Sequence, residues 1–128
     1  MTICVPVSNG ELMDKFSILL IKKEFIKDTS KLDNVNIEIE YLIEHINKIK
    51  QKFDIDVLFS ELIEVNKQLW VIEDNIRQKE KNKEFDKEFI EIARSVYFTN
   101  DKRCKIKNEI NLITNSSIFE VKSYEKYD

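Results

Sequence analysis

Residues 32–53, LDNVNIEIEYLIEHINKIKQKF, decide how the rest of the chain is read. Leu32, Val35, Ile39, Leu42, Ile46, Ile49 and Phe53 follow one another at steps of three and four without a miss. That is the seam of an amphipathic helix packed lengthwise on a neighbour. The next stretch repeats the pattern with Leu58, Leu62, Val65, Leu69, Ile72 and Ile76. Asp54-Ile55-Asp56 reads as the turn and cap between the two.

Working outward, Ser8-Asn9-Gly10-Glu11 has the spacing of a capping box, so a first helix is expected from near Asn9 to about Lys27. This helix is apolar on more than one side, at Leu12, Phe16, Leu19 and Ile26 and also at Ile18, Ile21 and Phe25, as expected of a helix touched by several others. Asp28-Thr29-Ser30 offers caps for the second helix, and Ser30 with Asp33 forms a candidate start. The charged run Lys79–Glu84 reads as a solvated helix end and turn. Asp86 can cap a fourth helix with the seam Phe89, Ile92, Val96, Thr99, Arg103, Ile106, Ile110 and Ile113. The β-branched and aromatic stretch Ile118–Tyr124 reads as a short strand, with residues 2–7 as its candidate partner. The expected fold is all-α: an antiparallel bundle of four long amphipathic helices in one domain over 1–128, with short extended segments at both termini. The seams also suit a homodimer.

Composition agrees. The chain has 128 residues, with one glycine and one proline, both within the first ten. Helix breakers are therefore absent from Glu11 onward, and an all-β fold lacks its turns. Net charge is −3 with the signs interleaved, so no basic stripe drives nucleic-acid binding. No apolar run is long enough to span a membrane, and the first residues lack a signal peptide's basic start. Cys4 and Cys104 match no metal or redox spacing, which suits reduced thiols in the cytoplasm.

The fourth seam has a fault. Thr99 and Arg103 stand where Leu or Ile is expected, and a charge in a seam must pair, reach solvent or bind something. Arg94, Tyr97, Asn100, Asp101 and Lys107 make the neighbouring face polar. Helix 3 carries a matching strip of Asn66, Trp70, Glu73 and Arg77, with Asp74 adjacent, and helix 1 adds Asp14 and Lys15. All three arginines fall within 77–103, and outside that stretch every cation is a lysine, which suggests a need for planar bidentate donors. Two readings follow. One is a network of Arg–carboxylate pairs that locks helices 1, 3 and 4 in register. The other is a pocket for an anionic ligand lined by Arg77, Arg94 and Arg103, with Trp70 and Tyr97 as platforms.

His45 is the single histidine, so imidazole-rich metal sites and a Ser-His-Asp triad are disfavoured. With one glycine there is no phosphate-binding loop or dinucleotide fingerprint, and no cofactor or metal is implied. No catalytic group is marked. The leading expectation is a non-enzymatic module that binds a protein partner or a small anion. The alternatives are a small enzyme or accessory subunit acting on an anionic substrate such as a sugar phosphate, with Glu73, Asp74 or Asp101 handling protons, and a purely structural helical oligomer.

Four segments carry a family resemblance: Gly10–Lys15 (GELMDK), Val65–Arg77 (VNKQLWVIEDNIR), Ala93–Arg103 (ARSVYFTNDKR) and Glu120–Tyr124 (EVKSY). Nearly the whole chain resembles an uncharacterised family of small helical proteins from bacteria and their phages. The resemblance implies an all-helical fold and no mechanism. Some members occur near or fused to glycosyltransferase-like proteins, which implies a link to surface-glycan metabolism.

Overall fold

A computed structural model describes residues 1–127. It contains four helices: α1 (Asn9–Phe25), α2 (Thr29–Lys52), α3 (Asp56–Lys81) and α4 (Lys87–Ile113). Each boundary has a local cause. Ser8 caps α1 by accepting from the Glu11 N–H at 3.0 Å. Asp28, rather than Ser30, caps α2, because its carboxylate takes both the Ser30 and Lys31 N–H groups. Ile55 precedes α3 with no side-chain cap, and Asp56 lies inside the first turn, where a negative charge favours the helix dipole. Asp86 caps α4 through the Phe89 N–H at 2.9 Å.

α1 is the central helix and packs on all three others, as its several apolar sides require. Met13 and Phe16 of α1 join Ile46 of α2, Phe59 and Leu62 of α3, and Ile106 and Ile110 of α4 in one core. α1 runs antiparallel to α4: Gly10 meets Asn111, Glu11 meets Lys107 and Asp14 meets Arg103. α1 runs parallel to α3, since Phe16 stacks near Phe59 and Phe25 near Trp70.

A helix of 17 residues is about 25 Å long and one of 26 about 40 Å, so α3 and α4 outrun α1. Beyond Trp70 on α3 and before Thr99 on α4 no residue is fully buried, and the two helices project as a hairpin arm. Ile72, Ile76, Phe89, Ile92 and Val96 form its half-buried seam. The charged run at the tip is the exposed helix end and turn that was expected, gathered on one lysine. Lys79 Nζ lies 3.1 Å from Glu84, 3.0 Å from Asp86 and 3.1 Å from Glu88, and Lys83 turns the chain with φ 54°. The Asp86 and Glu84 contacts hold the Lys79 ammonium above the usual lysine range.

Among the described residues there is no β-strand, so the expected pairing of the termini does not occur. Residues 1–7 are exposed, and the Thr2 hydroxyl lies 3.4 Å from that of Tyr41 on α2. Residues 118–127 instead lie back along α4, where Glu120 reaches Lys107 and Tyr127 stacks on Tyr97 and Phe98. Two chain ends drawn to different helices cannot exchange ladder hydrogen bonds. Ile113, the last seam position, is also exposed because the bundle ends there.

Gly10 marks the closest approach of α1 and α4. A Cβ there would collide with the Lys107 carbonyl oxygen and stand 2.9 Å from Asn111 Oδ1. In an open helix Gly→Ala stabilises by about 0.5–1 kcal/mol. Here backbone must move instead, so Gly10→Ala is expected to destabilise by about 1–3 kcal/mol. Urea denaturation of the two proteins checks the sign.

Candidate functional site

The fault in the α4 seam is answered from α1. Asp14 is 1% exposed, and its carboxylate accepts from three donors. Arg103 grips it as a fork, with Nε donating to Oδ1 at 2.9 Å and Nη2 donating to Oδ2. Asn66 Nδ2, on α3, donates to Oδ1 at 2.9 Å and also to the Ser17 hydroxyl at 2.7 Å. Ser17 donates in turn to the Asp14 carbonyl at 2.6 Å. A bidentate guanidinium is the geometry that desolvates a carboxylate at least cost. Asp14 raises the affinity of the Arg103 guanidinium for its proton against the opposing effect of burial.

One turn along α4, Lys107 is buried and donates to Glu11 at 2.6 Å and Glu120 at 3.1 Å. Burial is the largest influence on its ammonium and favours loss of the proton, but the two carboxylates outweigh it. The end of the ladder is neutral. Asn111 accepts from the Gly10 N–H at 2.6 Å, and Asn9 donates to Thr114 and Ser116.

Arg103 has three further N–H groups outside the Asp14 fork, and Nη1 has no partner among the described residues. It forms one wall of a cleft of about 360 Å³ between α1, α3 and α4. Asn66, Trp70, Glu73, Asp74 and Arg77 line the α3 side, and Ile18, Ile21 and Leu69 give it an apolar floor. Trp70 is steadied by Phe25, with ring centroids 5.8 Å apart. Arg77 is exposed and donates to Glu73 one turn away at 3.0 Å.

The other expected residues lie elsewhere. Arg94 donates to the Tyr97 hydroxyl at 3.3 Å and sits over Phe98, outside the cleft. Asp101 accepts from the Tyr127 hydroxyl. Lys15 pairs with Glu38 on α2 at 3.2 Å, in a neighbouring depression that also reaches Arg103. The three arginines therefore do not converge. Helix periodicity separates Arg94 from Arg103 by nine residues, which turns it to another face and places it farther up the arm. Lys107 was read only as part of the polar face of the fourth helix, and Ser17, Gly10 and Glu120 were not read as site residues. The matched spacing of Glu11 and Asp14 against Lys107 and Arg103 was the available signal.

Among the described residues, no cluster of His, Cys, Asp and Glu could hold a metal ion, and no helix is long and apolar enough to cross a membrane. A family model described as a family of unknown function (DUF6165) matches residues 3–127. The chain belongs to that family. Within this DUF6165 chain the match spans the cleft, the buried ladder and the returning C-terminal segment together. No curated protein and no solved structure matches it.

Two outcomes follow. Asp14→Ala leaves the half-buried Arg103 guanidinium and the buried Asn66 amide without their acceptor and is expected to cost about 3 kcal/mol, while a double change of Asp14 and Arg103 to Leu should recover most of that loss. Denaturant midpoints of the single and double variants decide it. Glu120 is held below the usual carboxylate range, chiefly by Lys107. Its contribution is therefore complete above its ordinary value and is lost as pH falls through the lowered one. NMR shifts of residues 118–127 should move toward free-chain values as pH falls below about 4.5, an acid step that Glu120→Gln should lack.

Proposed function

We propose that the protein is a small-ligand-binding helical module of the cytoplasm, and that its ligand carries one anionic group on an apolar or ring-shaped body. One observation carries this reading. Arg103 is fixed by Asp14 along one edge of its guanidinium and at the same time lines a cleft that also holds Trp70 and Arg77. The cleft volume of about 360 Å³ lies within the usual range for small-molecule sites.

Charge narrows the ligand class. Arg77 and Arg103 face Glu73 and Asp74 around the cleft, so the lining is close to neutral and a polyanion gains little. Arg77 is exposed and can leave Glu73 for a ligand at small cost, since exposed i,i+4 pairs contribute only about 0.3–0.5 kcal/mol. The apolar floor and the indole of Trp70 suit a flat or ring-shaped body. A sugar phosphate meets both conditions, which gives the link to surface-glycan metabolism its concrete form. If such a ligand were turned over, Glu73 and Asp74 are the carboxylates placed beside it.

The test uses Trp70, the single tryptophan, as its reporter. Titration with phenyl phosphate and glucose 1-phosphate should change Trp70 emission saturably, while benzyl alcohol and glucose should not. Arg77→Ala should weaken the response about tenfold, the loss of one charge-assisted contact of roughly 1.5 kcal/mol. The absence of a saturable response to either phosphate at millimolar concentration would sink the reading.

A further inference from the structure

Arg103 also borders a second depression, of about 210 Å³, whose lining is almost wholly polar. Arg103, Lys107 and Lys122 supply its cations, and Glu11 and Glu120 its carboxylates. Lys107 is the built element: its side chain is nine-tenths buried and donates to Glu11 at 2.6 Å and Glu120 at 3.1 Å. Lys122 Nζ lies 3.7 Å from the other oxygen of Glu120.

The two carboxylates are held very differently. Glu11 belongs to the first turn of α1 and is fixed by the bundle. Glu120 belongs to the returning segment, where no backbone–backbone hydrogen bond holds residues 117–126 among the described residues. The Ser116 hydroxyl donates to the Ile118 carbonyl, and Tyr127 stacks on Tyr97 and Phe98, so side chains and one hinge position the segment. Glu120 is thus a carboxylate on a tether, delivered into a cavity of three cations.

We propose that this depression is an oxyanion site of the phosphate or sulfate class, and that Glu120 is its resident stand-in. With the Glu120 side chain turned out, Arg103, Lys107 and Lys122 face the carboxylates of Glu11 and Asp14, with Lys107 Nζ 3.9 Å from Asp14, leaving one unit of positive charge. A tetrahedral oxyanion accepts from all three cations at once, which one carboxylate of fixed direction does not. The site shares Arg103 with the Trp70 cleft but does not depend on the cleft binding anything.

Competition gives the test its sign. Inorganic phosphate is titrated into the full chain at pH 7.5, against sodium chloride at matched ionic strength, with backbone amide shifts of 116–127 and 100–107 as the readout. Saturable shifts are expected with phosphate alone. Glu120→Gln keeps the segment's shape, removes the competing charge, and should tighten phosphate binding several-fold. Lys107→Met should abolish binding, and Lys122→Met, at a more exposed position, should weaken it several-fold without threatening the fold. Trp70 emission followed in the same titration reports the cleft independently, and amide shifts of 116–127 that saturate while that emission stays flat separate this site from the cleft. Shifts no larger than those with chloride, or binding that Glu120→Gln leaves unaltered or weakens, would overturn the proposal.

Discussion

A carboxylate sealed from water at the centre of a helix bundle constrains everything placed around it. Asp14 is 1% exposed on the central helix, and stripping water from an ionised group costs several kcal/mol before any partner is counted. Arg103 on α4 and Asn66 on α3 supply the donors, so α1, α3 and α4 must come together in one register. The neighbouring contacts then follow. Four residues along α4, Lys107 meets Glu11, and four further on Asn111 meets Gly10, where the backbones come so close that only glycine fits. Sliding α1 by one turn would misplace all three rungs at once. A purely apolar seam tolerates such a slip far better.

Length sets the second constraint. α1 is too short to follow α3 and α4 to their tips, so the hairpin arm beyond Trp70 has only its own seam. An isolated two-helix pair is marginal on burial alone. The arm is therefore closed at its end by Lys79, which gathers Glu84, Asp86 and Glu88, while Asp86 simultaneously caps α4. The Phe89 N–H and Lys79 together keep the Asp86 carboxylate below its ordinary range.

The helices were legible in the sequence because periodicity and capping are local. The uninterrupted seam of residues 32–53 and the Ser8 and Asp86 caps needed only neighbours within a turn or two. The many-sided apolar pattern of α1 correctly announced a central helix. The polar residues were legible as an anomaly but not as an arrangement. The break at Thr99 and Arg103 was visible, and so was the α3 strip that lines the cleft. Which carboxylate answers Arg103 depends on the rotation of α1 about its own axis, at which only the matched spacing of Glu11 and Asp14 against Lys107 and Arg103 hinted. Tail residues 118–124 misled for a related reason. Their β-branched and aromatic content fits a strand, but a strand needs a partner edge, and the contacts offered are the side chains of α4.

The scarcity of arginine also takes a sharper meaning. Three arginines among 18 lysines suggested three places where an ammonium would not do. Arg103 fits that idea, since only a planar fork satisfies both oxygens of Asp14 while keeping further N–H groups for a second use. Arg94 lies over the Phe98 ring, a contact that favours the weakly hydrated guanidinium without demanding it. Arg77 forms an exposed one-turn pair with Glu73 that a lysine would make nearly as well. Its arginine has no structural reason in the fold. A planar donor at the rim of a cleft, held by a weak partner, is the kind of group the proposed anion-binding role would use.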